Sequence, residues 1–325
     1  MRLCTTSAAA LCALAAIAAP ASHAGAQSIR IADSLLHAGQ IARAESLYYN
    51  MVLHRPHDPA ARSALGGYLA MRGAPRVAAT LYEEAIRFGG NRVSLSRSLA
   101  PIYFDLGEYQ DLLSLPVSPL SSAERQRVRW LTTHKSALVV ADSLLMVTYR
   151  ESADSEFVGH LPIRIDGHIV DAAISVTERG VILDDDNPLV ARLHRFRTPI
   201  RGADGPRYIP AVADSIGIGQ LSLMNEPLMV APLPNKTAAV IGLDVLARFA
   251  PTFDPHTDHI TLRANGRVDS GPRGSYEFST VMTNSDLLIA QAGGLASVRT
   301  PDIKRLLAEK RWTLDTRRGT LVLER

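Results

Sequence analysis

In "DAAISVTERG" (residues 171–180), Ser175 and Thr177 offer hydroxyls, and Asp171 and Glu178 are the nearest acids. A serine nucleophile needs a base and a group that orients the base; no G-x-S-x-G turn is present, and nothing singles out a histidine and an acid to activate Ser175. Asp171 begins Asp-Ala-Ala inside a strand pattern, with no turn residue after it. Asp184-Asp185-Asp186 could ligate calcium loosely, but the spaced oxygens of a dedicated loop are missing. Followed by "NPLVARLHRF", an Asp or Asn there reads as a helix N-cap with Pro188 in the first turn. Asp244 in "IGLDVL" falls in the first turn of a helix, where the helix dipole favours an acid. The ten histidines show neither H-E-x-x-H nor another ligand spacing. No metal site and no cofactor are therefore expected. Asn235-Lys236-Thr237 matches a glycosylation acceptor, a short pattern with little weight by itself.

The elements that position these groups begin after a leader. "MRLCTTSAAALCALAAIAAPASHAGAQ" has one positive charge at Arg2, an apolar stretch from Ala8 to Ala19, and small residues at 22–26. This is the pattern of a secretory signal peptide over 1–26, too short for a membrane span. Cys12 follows Ala-Leu, without the small residue expected before a lipid-bearing cysteine. Export, to a periplasm or to the medium, is the expectation. Cys4 and Cys12 are the two cysteines of the chain. Their removal with the leader would exclude disulfides, thiolate nucleophiles and cysteine-bound zinc. Loss of Arg2 takes the formal charge from +3 to +2. Nothing in that balance argues for nucleic acid or an anionic membrane as partner.

A repeat follows. Gly39, Gly73 and Gly107 are 34 residues apart, and Ala44, Ala78 and Leu112 keep the same period, as do Tyr48 with Tyr82 and Met51 with Ala85. The surrounding apolar residues recur at helical spacing on both sides of each glycine. Small residues at 44 and 78 let paired helices approach closely, and Pro56 and Gly90 are read as stopping the second helix of each pair. Over 28–120 this resembles the tetratricopeptide repeat, with two good copies and a decayed third. Such arrays bind peptides or proteins on a concave face; the alternative is a helical cap that packs on the next domain. Residues 121–155 read as one or two further helices and a polar linker, with the domain boundary near Ser152–Glu156.

From Phe157 the apolar period changes to two. "LPIRI", the tight turn Asp166-Gly167 and "HIVDAAISV" read as a hairpin. "DSIGIGQLSL" with "EPLMVAPLP" reads as another strand pair. "AVIGLDVLARF" is a strand, a glycine break and a short helix, and "PTFDPHTDHITLR" is a closing hairpin about Pro255–Asp258. "IRIDGHIVDAAI", "VILDDDNPLVARL", "RGADGPRY" and "AVIGLDVLARF…FDPHTDHITL" together resemble, in order, the single-lobed bacterial form of the retropepsin-like aspartic peptidases, over about 156–270. The predicted fold class is multi-domain, α then β: N-terminal helical hairpin repeats followed by a retropepsin-like, mostly antiparallel β domain. Residues 271–325 are read as a C-terminal extension. There "EKRWTLDTRRGTLVLER" echoes the closing hairpin, either as the remnant of a second lobe or as an independent hairpin, with a short helix at "TPDIKRLLAE" before it.

In that family the strand ending at Ile174 runs into Asp-Thr/Ser-Gly, and two such aspartates share a proton and activate a water. The resemblance places Ser175-Val176-Thr177 on that tripeptide: serine where the aspartate would be, threonine where the glycine would be. It implies a cleft at Ser175, Val176, Thr177 and Gly242, closed by a flap at Gly202, Asp204 and Gly205, with no catalytic residue and no metal. The expected function is binding of a peptide or protein, and a homodimer through the β domain is compatible with it. The alternative is an active aspartic endopeptidase; a scaffold with an empty cleft is a third reading.

Overall fold

The computed structural model describes residues 19–325 apart from 141–142, 154–155, 197–199, 202–206, 267, 269–274, 283–286, 292–293, 298–304, 306–309 and 325. The N-terminal part is helical: α1 (Ala19–His37), α2 (Ile41–His54), α3 (Pro59–Met71), α4 (Pro75–Arg87), α5 (Arg92–Leu106), α6 (Tyr109–Leu113) and α7 (Ser122–Thr133). The three periodic glycines take the same left-handed backbone, φ 72° at Gly39, 78° at Gly73 and 71° at Gly107. That conformation suits glycine, and it turns each first helix back into the second. The residues sharing the period are buried: Ala44, Ala78, Ala85 and Leu112 are fully enclosed, and Tyr48, Met51 and Tyr82 nearly so. Tyr48 stacks on Tyr68 with ring centres 5.2 Å apart, and burial pushes both phenols well above their usual range. Helix α2 ends at His54, ahead of Pro56, and α4 ends at Arg87, with Gly89 rather than Gly90 in the left-handed region. The second helix of the third pair is cut to the five residues of α6.

Helix does not continue to 155. It stops at Thr133, and β1 (Ala137–Val140), β2 (Leu144–Thr148) and β3 (Arg150–Glu151) follow. Strand β1 pairs with Met224–Leu221, and β2 pairs with His259–Arg263. The change from helix to strand thus lies at 134–136, upstream of the expected boundary near Ser152–Glu156. "ALVV" and "LLMVT" are runs rich in β-branched and aliphatic residues, and partner strands far along the chain fix them as strands.

The β domain continues with β4 (Gly159–Ile165), β5 (His168–Ser175), β6 (Val181–Asp184), β7 (His194–Arg195), β8 (Ile200–Arg201), β9 (Arg207–Ile218), β10 (Leu221–Ala231), β11 (Ala239–Gly242) and helix α8 (Leu243–Ala247). Asp166 and Gly167 both have positive φ, as the two-residue turn between β4 and β5 demands. The long β9–β10 hairpin turns at Gly219-Gln220, so "DSIGIGQLSL" contains the turn and "EPLMV" prolongs the second strand. Asn225, at φ 51°, interrupts the β9–β10 ladder opposite Asp214 without shifting its register. Strands β10, β6, β11, β5, β4 and β9 follow one another, and β9 pairs back to β10, which closes a barrel. Within it β11 runs parallel to β5 and antiparallel to β6. Ile163, Ile165, Ile174, Leu183, Ile216, Ile218 and Ile241 fill its interior, each shielded from water.

A second sheet holds β2, β12 (Thr252–Asp254), β13 (His259–Arg263), β14 (Tyr276–Met282), β15 (Leu287–Gln291), β16 (Gly294–Ser297), β17 (Trp312–Asp315) and β18 (Thr320–Leu323). The two echoing hairpins, β12–β13 and β17–β18, join through Thr252↔Thr313, whose hydroxyls lie 2.8 Å apart in a buried bond. Trp312 stacks on Phe253 at 4.2 Å. The described strands β14–β18 therefore belong to the same sheet as β12 and β13. The expected helix at 300–309 falls almost wholly outside the described residues. An N-terminal helical segment followed by a mostly β domain with a barrel is consistent with a retropepsin-like fold.

Candidate functional site

The loop at the end of β5 is built on one hydroxyl. Ser175 is 1% exposed, and its Oγ accepts the N–H of Glu178 at 3.0 Å and that of Thr177 at 3.3 Å. This is a side-chain cap of a tight turn, one of the local jobs serine does well. Val176 is buried in the β core, and of the tripeptide 175–177 only Thr177 is exposed. Ser175 and Val176 are thus both enclosed, the first by its own turn and the second by the β core. Burial raises the Glu178 carboxyl above its ordinary range.

Gly242 stands opposite Ser175 in the parallel β5–β11 register. Its N–H donates to Gly180 O at 2.7 Å. A side chain there would begin 2.2 Å from Asp244 Oδ1 and 2.5 Å from Glu178 O, so the two strands can meet only over a glycine. Gly202, Asp204 and Gly205 lie outside the described residues.

The acids of the β domain have placed partners. Asp244, in the first turn of α8 as its sequence context suggests, accepts the Gly180 N–H on both carboxylate oxygens, at 3.1 and 3.2 Å. Asp171 lies on the outer face of β5, 2.7 Å from Arg150 and 3.2 Å from His160. Asp184 accepts the N–H of Leu233 at 2.9 Å. Asn187, not an aspartate, caps the short 3-10 turn Pro188–Arg192 through Leu189 N–H. The side-chain oxygens of Asp184, Asp185 and Asp186 fall within 4.8 Å of one another on an open surface.

The open space lies beside Arg179 and Gly180, not beside 175–177. A cavity of about 970 Å³ separates helices α3–α5 from the barrel, its wall including Tyr82, Arg97, Asp105, Arg179, Asp244 and Arg248. Arg179 spans its floor, 3.2 Å from Asp105 of α5 and 3.6 Å from Asp244 of the barrel. Partial desolvation where α5 faces the barrel pushes the Asp105 carboxyl, still 54% exposed, above its usual range despite the opposing pull of Arg179, and Asp244 adds to the rise. Arg248 pairs with Glu226 at 2.6 Å.

The helical array and the barrel are joined directly. Val212 of β9 and Val281 of β14 belong to the core of the helical array. Arg72, past the end of α3, donates to Thr280 O at 2.6 Å and Gly319 O at 3.1 Å. A Cβ on Gly73 would lie 2.2 Å from Thr316 O, so one of the repeat glycines also permits close approach between the two parts. Sequence reasoning missed Asp105, Arg179 and the buried Arg127. No spacing rule links residue 105 to residue 179 or 244; Asp244 alone carried a local signal, and that signal read as a helix dipole partner.

No protein-family model matches this chain, and no curated protein matches it. Among solved structures it is similar to the crystal structure of a retropepsin-like aspartic protease from Rickettsia conorii, with 15% identity over 40% of this chain and 93% of that one, at a TM-score of 0.27. At that score no residue role passes from one to the other.

Proposed function

We propose that this protein is exported and binds a peptide or an extended protein segment in the cavity between its helical array and a retropepsin-like barrel that lacks a catalytic aspartate. The reading rests on one observation above all: the side chain at the end of β5 is a serine hydroxyl turned inward and used to close its own loop. Among the described residues this hydroxyl has no hydrogen bond to a histidine or a carboxylate that would activate it or a water. The tetratricopeptide-like period in the helices and the cavity that the array shares with the barrel support binding. In the described residues no helix is long and apolar enough to cross a membrane.

A second reading has its own support. Asp105 and Asp244 flank one cavity and each faces Arg179, so an endopeptidase could draw on carboxylates from the two parts of the chain. The arginine between them favours both as anions, whereas proton sharing needs one of them neutral.

The test is hydrolysis of unfolded casein by the purified mature protein from pH 3 to pH 7, with and without pepstatin. The expected result is no pepstatin-sensitive cleavage. Cleavage abolished by Asp244→Asn or Asp105→Asn would replace the binding reading with the second one. Export has a separate test: N-terminal sequencing should place the mature start near residues 25–28, and an intact Met1 would overturn it.

A further inference from the structure

Helix α7 buries a positive charge. Arg127 is 6% exposed. Its Nη1 donates to Leu228 O at 3.2 Å and to Met229 Sδ at 3.7 Å, and its guanidinium lies 4.8 Å from the centre of the Phe104 ring. Its Nε is enclosed without an acceptor. Among the described residues no carboxylate stands within ion-pair distance of it. Glu124, one turn earlier, is occupied in a capping box, accepting the Ser121 N–H at 2.7 Å. A buried cation without a paired anion is unfavourable, and such groups gather where a ligand supplies the missing charge. Burial pulls the guanidinium down to about 10, so it stays charged at neutral pH.

Arg127 lines a pocket of about 460 Å³ that shares Phe104, Asp105 and Asp244 with the larger cavity and opens off it. Leu120, Val128 and Leu228 make much of the remaining wall apolar. A second cation, Arg97 of α5, reaches the same pocket; it is exposed and has no partner among the described residues. The acids nearby are already engaged, Asp105 and Asp244 with Arg179 and Glu124 with its cap. The lining charges balance, Arg97, Arg127 and Arg179 against Asp105, Glu124 and Asp244, but neither Arg97 nor Arg127 has an ion-pair partner among the described residues, so both keep donors for a carboxylate carried on an apolar chain.

We infer that this side pocket selects an apolar peptide segment by a carboxylate, terminal or side-chain, received by Arg127 and Arg97. The inference rests on the peptide-binding reading and names the ligand class for it. A peptide backbone in the main cavity would send its acidic end or acidic side chain past Phe104 toward α7.

Calorimetric titration of the full mature chain tests it with four probes: acetyl-Leu-Val-Leu-Leu as the free acid, the same peptide as its amide, acetyl-Leu-Val-Glu-Leu amide, and octanoate. A charge-assisted contact in a pocket predicts that at least one carboxylate peptide binds roughly tenfold or more tighter than the neutral amide. The tighter of the two acids tells terminus from side chain. Arg97→Ala, an exposed change, should erase most of that difference, and Arg127→Lys should weaken it while keeping the charge. Equal binding of acids and amide would overturn the carboxylate assignment and leave peptide binding standing. Octanoate binding as tightly as the best peptide would overturn the peptide source. Absence of binding by every peptide would overturn both. The comparison of probes uses unaltered protein, so it does not depend on whether an Arg127 variant folds.

Discussion

Arg179 and Asp105 meet across the junction of the two parts, with Nη2 3.2 Å from a carboxylate oxygen. Arg179 belongs to the loop after β5 and Asp105 to the last turn of α5, so this contact sets the helical array directly over that loop. Both side chains are more than a third exposed, and the pair should contribute under about 1 kcal/mol to stability. Its effect should be on geometry. Arg179→Ala is expected to leave the thermal midpoint nearly unchanged while increasing proteolytic cleavage within 134–136, and unchanged cleavage would show that the other contacts suffice.

The raised Asp105 carboxyl gives a pH signature. A group whose folded pKa lies above its unfolded value binds its proton more tightly when folded. Its ionisation therefore removes stability as pH rises from the unfolded value through the folded one. Relative to Asp105→Asn, the unaltered protein should gain stability as pH falls from neutral toward the ordinary carboxylate range. Urea unfolding of both proteins between pH 4 and pH 7 measures this. A difference that stays constant, or moves the other way, would refute the assignment.

Gly242→Ala places a methyl against Glu178 O and Asp244. Both strands are held by parallel pairing, so the strain cannot be relieved by one rotamer change. A loss of about 1–3 kcal/mol is expected, read as a lower urea midpoint with an unchanged slope.

Ser175→Ala removes the acceptor for two loop N–H groups. Loss of about 1 kcal/mol is expected, with peptide binding retained because Ser175 does not reach the cavity.

The strands upstream of 152 decide where the chain can be divided. A fragment beginning at 134 keeps β1 and β2 paired with β10 and β13, whereas one beginning at 156 strips an edge from each sheet. The first should be the more stable by thermal unfolding. Comparable midpoints would show that β1 and β2 add nothing.

Local rules were legible in the sequence. The glycines at 39, 73 and 107 announced their left-handed turns, Asp166-Gly167 announced its hairpin, and the alternation in "LPIRI" announced which residues enter the barrel. Each depends on sterics or periodicity within a few residues, which a sequence contains in full. Long-range pairing was a different matter. Nothing within "ALVV" or "LLMVT" chooses strand over helix; Met224 and Ile260, far along the chain, make that choice by supplying hydrogen-bond partners. The same holds for the site. The sequence by itself determined that serine stands at the end of β5 and that acids recur at 105 and 244. Only the tertiary structure decided that Ser175 turns inward, that Asp105 and Asp244 face one arginine, and that Arg127 is buried without an anion. Burial and proximity arise when elements from distant parts of the chain close on one another, and it is they, not residue type, that set which charges go unmatched.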